Sequence, residues 1–186
     1  LGQAGDRYFI LYGTVGFDAH IVHQMEDLKP LKQQLGGLAY IVAGLAGAWQ
    51  FRGTRAHIIV DGKRLRRRVW AVIVGNSQLY GGLLRIAAQA LVDDGWLDVY
   101  VVRGSGLLAT ARHYLYFLTH GAFGDPRIEY FKAKRVEIRP RKAMQAQVDG
   151  DPAGETPLTI AVAPKALRVI VPKGAKPRVF QEHREA

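Results

Sequence analysis

Six consecutive apolar residues, Val69-Trp70-Ala71-Val72-Ile73-Val74, constrain the fold of this chain more than any other feature. A strand that is apolar at every position offers no face to water, so this one reads as buried on both sides. It ends a hairpin. Arg55 to Val60 alternates into Asp61-Gly62, a dipeptide that favours the tight turn between antiparallel strands, and Leu65 to Val74 returns. Lys63, Arg64, Arg66, Arg67 and Arg68 make the beginning of the return strand strongly basic. Those charges read either as a solvated edge that discourages pairing or as a docking surface for anionic lipid.

The remaining pattern is rich in strands. Arg7 to Tyr12 reads as a strand that runs into Gly13-Thr14-Val15-Gly16-Phe17-Asp18-Ala19, where two glycines allow a turn or a close backbone approach. Leu97–Val102, Arg127–Phe131, Lys134–Arg139, Met144–Val148, Leu158–Val162 and Ala166–Val171 are further strands, separated by turn residues. Two helices stand out. One spans Leu28 to Trp49, with Pro30 in its first turn and Leu31, Leu35, Leu38, Val42 and Leu45 at helical spacing. The other spans Gly106 to His120, with Gly121 placed to end it. Antiparallel strands in this number, with about two main helices, predict an α+β fold that is mostly antiparallel β, a sandwich or barrel-like sheet.

At 186 residues the chain suits a single domain, and 48% hydrophobic with 23% charged residues is the composition of a folded one. There is no cysteine, which excludes a disulfide framework and thiolate chemistry and fits a reducing, cytoplasmic compartment. The uncharged stretch Gly36 to Gln50 falls short of the roughly 20 apolar residues that cross a bilayer. Leu1-Gly2-Gln3-Ala4-Gly5 lacks an initiator methionine and reads as an internal start, so a piece of a longer protein is expected. Lys and Arg number 26 against 16 acids, a formal charge of +10, which implies an anionic partner: nucleic acid, nucleotide phosphates or an acidic membrane surface.

A self-contained nucleotide site is not visible. The chain has no Gly-x-x-x-x-Gly-Lys-Ser/Thr loop, no Gly-x-Gly-x-x-Gly between a strand and a helix, and no Gly-x-Ser-x-Gly elbow. His20 and His23 lie three apart but lack a further ligand at metal-binding spacing and read as ordinary surface or core histidines.

Two segments could carry chemistry. In the first, the buried strand ends in Gly75-Asn76, enters a loop containing Gly81-Gly82, and reaches Asp93-Asp94-Gly95 before the next strand. Glycines there let backbone approach a ligand. Asp93 and Asp94 with nearby carbonyls offer hard oxygen ligands to Mg²⁺ or Ca²⁺, or Asp94-Gly95 is a plain turn. In the second, Asp149-Gly150-Asp151 joins two strands; it can supply a general base for a hydroxyl nucleophile or be a simple hairpin turn.

Taken together, Gly16-Phe17-Asp18-Ala19, the order Gly-Asn…Tyr-Gly-Gly…Ala-x-x-x-Asp-Gly…Asp-Gly and Pro164-x-Ala166-Leu167-x-Val169-x-Val171-Pro172 resemble the catalytic family of diacylglycerol kinases. These are soluble bacterial lipid kinases related to the sphingosine and ceramide kinases. The resemblance runs from about Arg7 to Pro172. It implies a two-domain enzyme whose N-terminal domain binds ATP through a Gly-Gly-Asp-Gly-Thr signature that this chain does not contain. Residues 1–172 would then be the lipid-side C-terminal domain, and 173–186 a basic and polar tail.

The resemblance places Asp151 where the family has the glutamate of an Asp-Gly-Glu motif, its proton acceptor, one methylene longer. It implies a cleft lined by Asn76, Gly81, Gly82 and Asp149. It places Asp94 at the ligand of a Mg²⁺ that orders the loop, with the backbone carbonyls of Leu91 and Trp96 as companions; Ala88 stands where many relatives have proline. ATP would be the phosphoryl donor, held mainly by the other domain, and the acceptor a lipid with a free hydroxyl. Partners would be that N-terminal domain, an anionic membrane surface at the cytoplasmic face and a second copy in a homodimer, with no nucleic acid. The alternatives are a basic β-domain that binds nucleic acid and a lipid-binding module without catalysis.

Overall fold

The computed structural model describes residues 1–26, 51–80, 86–120, 124–170 and 180. The expected helix Leu28–Trp49, Gly81, Gly82 and nearly all of the 173–186 tail lie outside these residues. In chain order the described elements are β1 Gly2–Ala4, β2 Arg7–Phe9, β3 Tyr12–Gly16, α1 Phe17–Glu26, β4 Thr54–Val60, β5 Lys63–Gly75, β6 Leu97–Arg103, α2 Gly106–His120, β7 Ile128–Ala133, β8 Arg135–Pro140, β9 Gln145–Val148, β10 Asp151–Glu155 and β11 Leu158–Val162.

All pairings are antiparallel. The strands follow the order β10-β9-β3-β5-β4-β8-β11-β1-β2, with β6 and β7 branching from β5. The path curls so that β1 meets β3 and β2 meets β9, which nearly closes it into a barrel. This is the α+β, barrel-like fold read from the strand pattern.

β5 explains why the sheet has two cores. Val69, Val72 and Val74 point into the barrel with Val15, Ile58, Val99, Ile138 and Ile160. Trp70, Ala71 and Ile73 point outward into a second cluster, shared with Phe17 and Ile21 of α1 and Phe117 of α2. Each strand position therefore finds an apolar neighbour, as the unbroken run Val69–Val74 required. Trp70 joins the helices to the sheet: its ring stacks on Phe17 with centroids 4.8 Å apart, and its indole N–H donates to Thr110 Oγ1 at 2.8 Å. Burying an aromatic of this size and satisfying its N–H together make truncation expensive, about 3–5 kcal/mol.

Four local expectations need correction. Arg7–Tyr12 is not one strand: β2 pairs with β1 while β3 pairs with β5 and β9, and the chain bends between them at Ile10-Leu11. Gly13–Gly16 is a full strand, and Phe17 opens α1, which the motif reading passed over. Gly16 makes that junction possible. Its φ is +109°, and a Cβ there would lie 2.6 Å from the Trp70 carbonyl oxygen. Asp151–Glu155 is a strand despite Pro152 and Gly154, because it ends the strand order and carries a register irregularity between Pro152 and Glu155. Residues 166–170 form no strand; Leu167, Val169 and Ile170 are exposed, and β11 already has partners on both sides in β8 and β1.

Candidate functional site

The β9–β10 turn is the centre of the candidate site. Val148 pairs with Asp151, so only Asp149 and Gly150 make the turn, with φ of +49° and +93°. Two positive φ values are what a type I′ hairpin demands, and Asp-Gly is a favoured pair for it. The turn is held from three directions. Asp149 Oδ2 accepts the Ile10 N–H at 2.7 Å, and Oδ1 accepts those of Leu11 and Tyr12 at 2.9 and 2.8 Å. The Asp149 N–H donates to the Tyr12 carbonyl at 2.9 Å. Arg7 of β2, at the other end of the strand order, donates to the Pro152 carbonyl across the seam.

Asn76 holds the same bend from the other side. Its side-chain amide donates to the Ile10 carbonyl and its backbone N–H to the Leu11 carbonyl, both at 2.8 Å. The β2–β3 bend would otherwise leave five backbone groups unpaired; Asp149 and Asn76 satisfy them all. These two residues, expected in the cleft, thus have their polar atoms committed to backbone. Asp151 differs. It is exposed, and its carboxylate makes no hydrogen bond or ion pair with the described residues.

Behind the turn lies a buried polar network with no role in the motif reading. Gln147, 1% exposed, accepts the Gly150 N–H on Oε1 at 2.8 Å. Its Nε2 donates to Thr14 Oγ1 at 2.9 Å and to Asp18 Oδ2 at 2.8 Å. Thr14 also donates to Asp18 Oδ2, and the Tyr80 hydroxyl donates to Asp18 Oδ1. Gln147 therefore couples the turn to the first turn of α1 and to the loop after β5. Asp18 belonged to the Gly16-Phe17-Asp18-Ala19 motif, but its place in the first turn of α1, where a carboxylate favours the helix dipole, emerges only with that helix. Gln147 had no signal, because a buried glutamine on a strand is recognisable only by its partners.

Tyr12 reaches the same loop. Its hydroxyl donates to the Gln78 carbonyl at 3.1 Å and accepts the Ala87 N–H at 3.2 Å, and burial pushes its pKa upward. His20 and His23 dock α1 on β9 through Gln145 Oε1 at 2.9 Å and the Ala146 carbonyl at 3.0 Å, the ordinary role expected of them.

The Asp94 loop lies at the start of β6. Asp94 Oδ1 accepts the Trp96 N–H at 3.0 Å. Oδ2 is buried and faces the Lys132 ammonium at 2.7 Å, an ion pair at an angle that falls short of a hydrogen bond. The neighbouring Asp98 is 2% exposed; burial raises its pKa, opposed by the Tyr130 hydroxyl 2.8 Å from Oδ1 and by Lys132. Lys134 sits over the Trp96 ring at 4.8 Å. A buried carboxylate oxygen without a directed donor is a seat for a cation, and the donor chemistry fits Mg²⁺. A divalent ion on Oδ2 would displace Lys132. Among the described residues no group of three or more His, Cys, Asp or Glu side chains converges on a metal position, so the companion ligands would have to be backbone carbonyls and water.

Comparison with known proteins identifies the family to which this fold belongs. The chain is 30% identical over 176 residues to a protein of Chromohalobacter salexigens named "Probable lipid kinase YegS-like", covering 94% of this chain and 56% of that one. It is 27% identical over 173 residues to the diacylglycerol kinase of Bacillus subtilis, covering 93% and 56%. The chain thus spans a little over half the length of these relatives. Two solved structures from Bacillus anthracis str. Sterne, one of them of a diacylglycerol kinase, share the fold with TM-scores of 0.57 and 0.63 at 19% and 23% identity. They cover 88% of this chain, which spans 49% and 53% of theirs. Residues 13–171 match the family described as the YegS C-terminal NAD kinase beta sandwich-like domain. The chain belongs to that family.

Proposed function

We propose that this chain is the acceptor side of an ATP-dependent lipid kinase and that Asp151 is its general base. The observation that carries the reading is the contrast within one turn. Asp149 and Gly150 are tied down, while the carboxylate of Asp151 is exposed and has no partner among the described residues, on a fixed backbone. Phosphoryl transfer rests mainly on positioning and charge neutralisation, so a rigidly mounted, available carboxylate is the useful contribution.

In the reaction the acceptor is a lipid hydroxyl, diacylglycerol-like, and the donor is ATP carrying its own Mg²⁺. As the hydroxyl oxygen forms its bond to the γ-phosphorus, its proton passes to an Asp151 carboxylate oxygen. The bond from the γ-phosphorus to the bridging oxygen breaks, and ADP leaves. Residues 1–172 would form the lipid-side domain and an N-terminal domain would hold the nucleotide. Asp94, with the carbonyls of Leu91 and Trp96, would hold a second Mg²⁺, which when bound supplies charge that orders the loop between β5 and β6. Without the ion, Lys132 supplies the positive charge at the same oxygen.

The test is transfer of γ-phosphate from ATP to diacylglycerol in detergent micelles by the full-length protein. Asp151→Asn is expected to lower kcat by about 10²–10⁴, the usual contribution of a positioned base, with an unchanged unfolding transition. Asp151→Glu is expected to keep activity. Full turnover by Asp151→Asn would remove the assignment.

A further inference from the structure

We infer that the outward face of β5, β4 and β8 is a docking surface for an anionic membrane. The inference builds on the lipid-kinase reading but rests on a different part of the sheet. Along β4 the even-numbered Ala56, Ile58 and Val60 point into the barrel, and Arg55, His57 and Ile59 point out. The register sets Arg55 opposite Arg68, His57 opposite Arg66 and Ile59 opposite Arg64 on one side. On the other side it sets His57 opposite Arg139 and Ile59 opposite Glu137, and the Arg141 N–H donates to the Arg55 carbonyl. Three adjacent strands thus present their basic residues to solvent on one face.

A merely solvated surface does not explain this arrangement. Like charges placed directly across a ladder destabilise the sheet; here Arg55 faces Arg68, and His57 stands between Arg66 and Arg139. Defence of a free edge accounts for only part of it: the Lys63–Arg68 stretch of β5 is paired on one side alone, by β4, but Arg55 lies on β4, which is paired along both sides. Glu137 is the one acid in these rows, and it is already engaged by Arg135 and Arg139 at 3.3 and 2.7 Å. Arg67, in the middle of the basic run, is excluded from the face: it pairs with Glu129 at 2.5 and 2.9 Å, which holds the Glu129 carboxyl below its ordinary pKa. Among the described residues Arg55, Arg64 and Arg66 have no acidic partner, and the single acid Glu137 faces both Arg135 and Arg139, so the outward face keeps a net positive charge.

Phosphate is the anion that arginine forks suit. Between the rows lies a groove of about 300 Å³ lined by Arg55, His57, Arg66, Arg139, Pro140 and Arg141, of a size for a phosphate headgroup. The exposed part of these rows holds no Phe, Tyr or Trp on which nucleotide bases could stack, and Trp70 further along β5 is buried, which favours a bilayer surface over single-stranded nucleic acid. Arg66 lies about 30 Å along β5 from Gly75 and the candidate site, at roughly 3.3 Å per residue. The surface accordingly anchors the protein and does not select its substrate.

The test compares the full-length protein with its Arg55→Gln/Arg66→Gln/Arg139→Gln variant. Partition is measured onto vesicles of phosphatidylcholine alone and onto vesicles that also contain phosphatidylglycerol. Each basic residue near an anionic bilayer strengthens binding roughly fivefold, so the triple variant should partition about a hundredfold more weakly. Its unfolding transition and its activity in detergent micelles should be unchanged, and raised salt should release the wild type. A Lys165→Gln/Arg168→Gln control outside these rows should bind within a few fold of wild type. Equal partition by the triple variant would overturn the inference, as would tighter binding to DNA than to anionic vesicles. Absence of lipid phosphorylation in micelles by the wild type would count against the kinase reading and leave the vesicle result standing on its own.

Discussion

The molecule contains two Asp-Gly turns on one plan, Asp61-Gly62 between β4 and β5 and Asp149-Gly150 between β9 and β10. Both glycines and both aspartates have positive φ, +43° and +86° in the first turn and +49° and +93° in the second. In both, the aspartate N–H donates to a carbonyl of a third strand segment, Arg135 at 3.0 Å or Tyr12 at 2.9 Å. Both carboxylates staple that segment: Asp61 accepts the Lys134 and Arg135 N–H groups, and Asp149 those of Ile10, Leu11 and Tyr12. The turns differ in what they deliver. The first leads into Lys63 and the basic rows, the second into the exposed carboxylate of Asp151. Only the second glycine, among the described residues, donates to a buried side chain, Gln147. The shared features are those any tight hairpin with a neighbouring strand can use, so an Asp-Gly turn by itself says nothing of chemistry. The residue after the glycine and the network behind it carry the distinction.

The largest effect should come from the residues that follow the two glycines. Asp151→Asn is expected to lower kcat in micelles by about 10²–10⁴, while Lys63→Gln at the equivalent place should leave it within a few fold. Equal losses would mean that turn geometry, not carboxylate chemistry, sets the rate. Next come the two staples. Hydrogen bonds to a charged group are each worth about 1.5–3 kcal/mol before solvent screening. Asp149→Ala should cost about 3 kcal/mol in urea unfolding and Asp61→Ala about 2 kcal/mol, since Asp149 serves three donors and one of them is partly buried. Only Asp149→Ala should also lower kcat. A smaller loss is expected from Gln147→Ala, about 1–2 kcal/mol in stability. Because it acts by positioning, it should lower kcat several-fold more than it changes the KM for lipid. A uniform fall in stability and both kinetic constants would make it a packing residue only.

Much of the fold was legible, and the gaps have physical causes. The Arg55–Val74 hairpin, the helix Gly106–His120 and the strand Leu158–Val162 were visible because a period and a turn signal coincide there. α1 was hidden: Phe17–Glu26 holds two histidines and the β-branched Ile21 and Val22, and what makes it a helix is the seating of Phe17 and Ile21 against Trp70. β10 was hidden by Pro152 and Gly154, which only an end strand tolerates. At the site, the Asp149-Gly150-Asp151 triplet was found from residue type, but the division of labour within it was not. Whether a turn aspartate faces solvent or staples a strand depends on which segment folds over it, here Ile10–Tyr12, well over a hundred positions away in the chain. Gln147 and Thr14 were invisible for the same reason.

The smallest effect sharpens the comparison most directly, because it touches backbone alone. Neither Gly62 nor Gly150 would place an added Cβ within 4 Å of another atom, and their φ values differ little. Alanine at either position therefore meets the same left-handed strain, about 1–2 kcal/mol, and no clash. If the two turns were equivalent, Gly62→Ala and Gly150→Ala would match in stability and neither would alter turnover. The Gly150 N–H, however, is the point at which the Gln147–Thr14–Asp18 network grips the turn. A shift of that N–H relaxes the grip and moves Asp151, the next residue. Gly150→Ala is expected to be less stable than Gly62→Ala by no more than one hydrogen bond, about 1 kcal/mol, and to show a kcat several-fold lower. The reading follows from paired urea unfolding and micelle assays on the two variants; equal kcat values would mean that the network stabilises the turn without aiming the carboxylate.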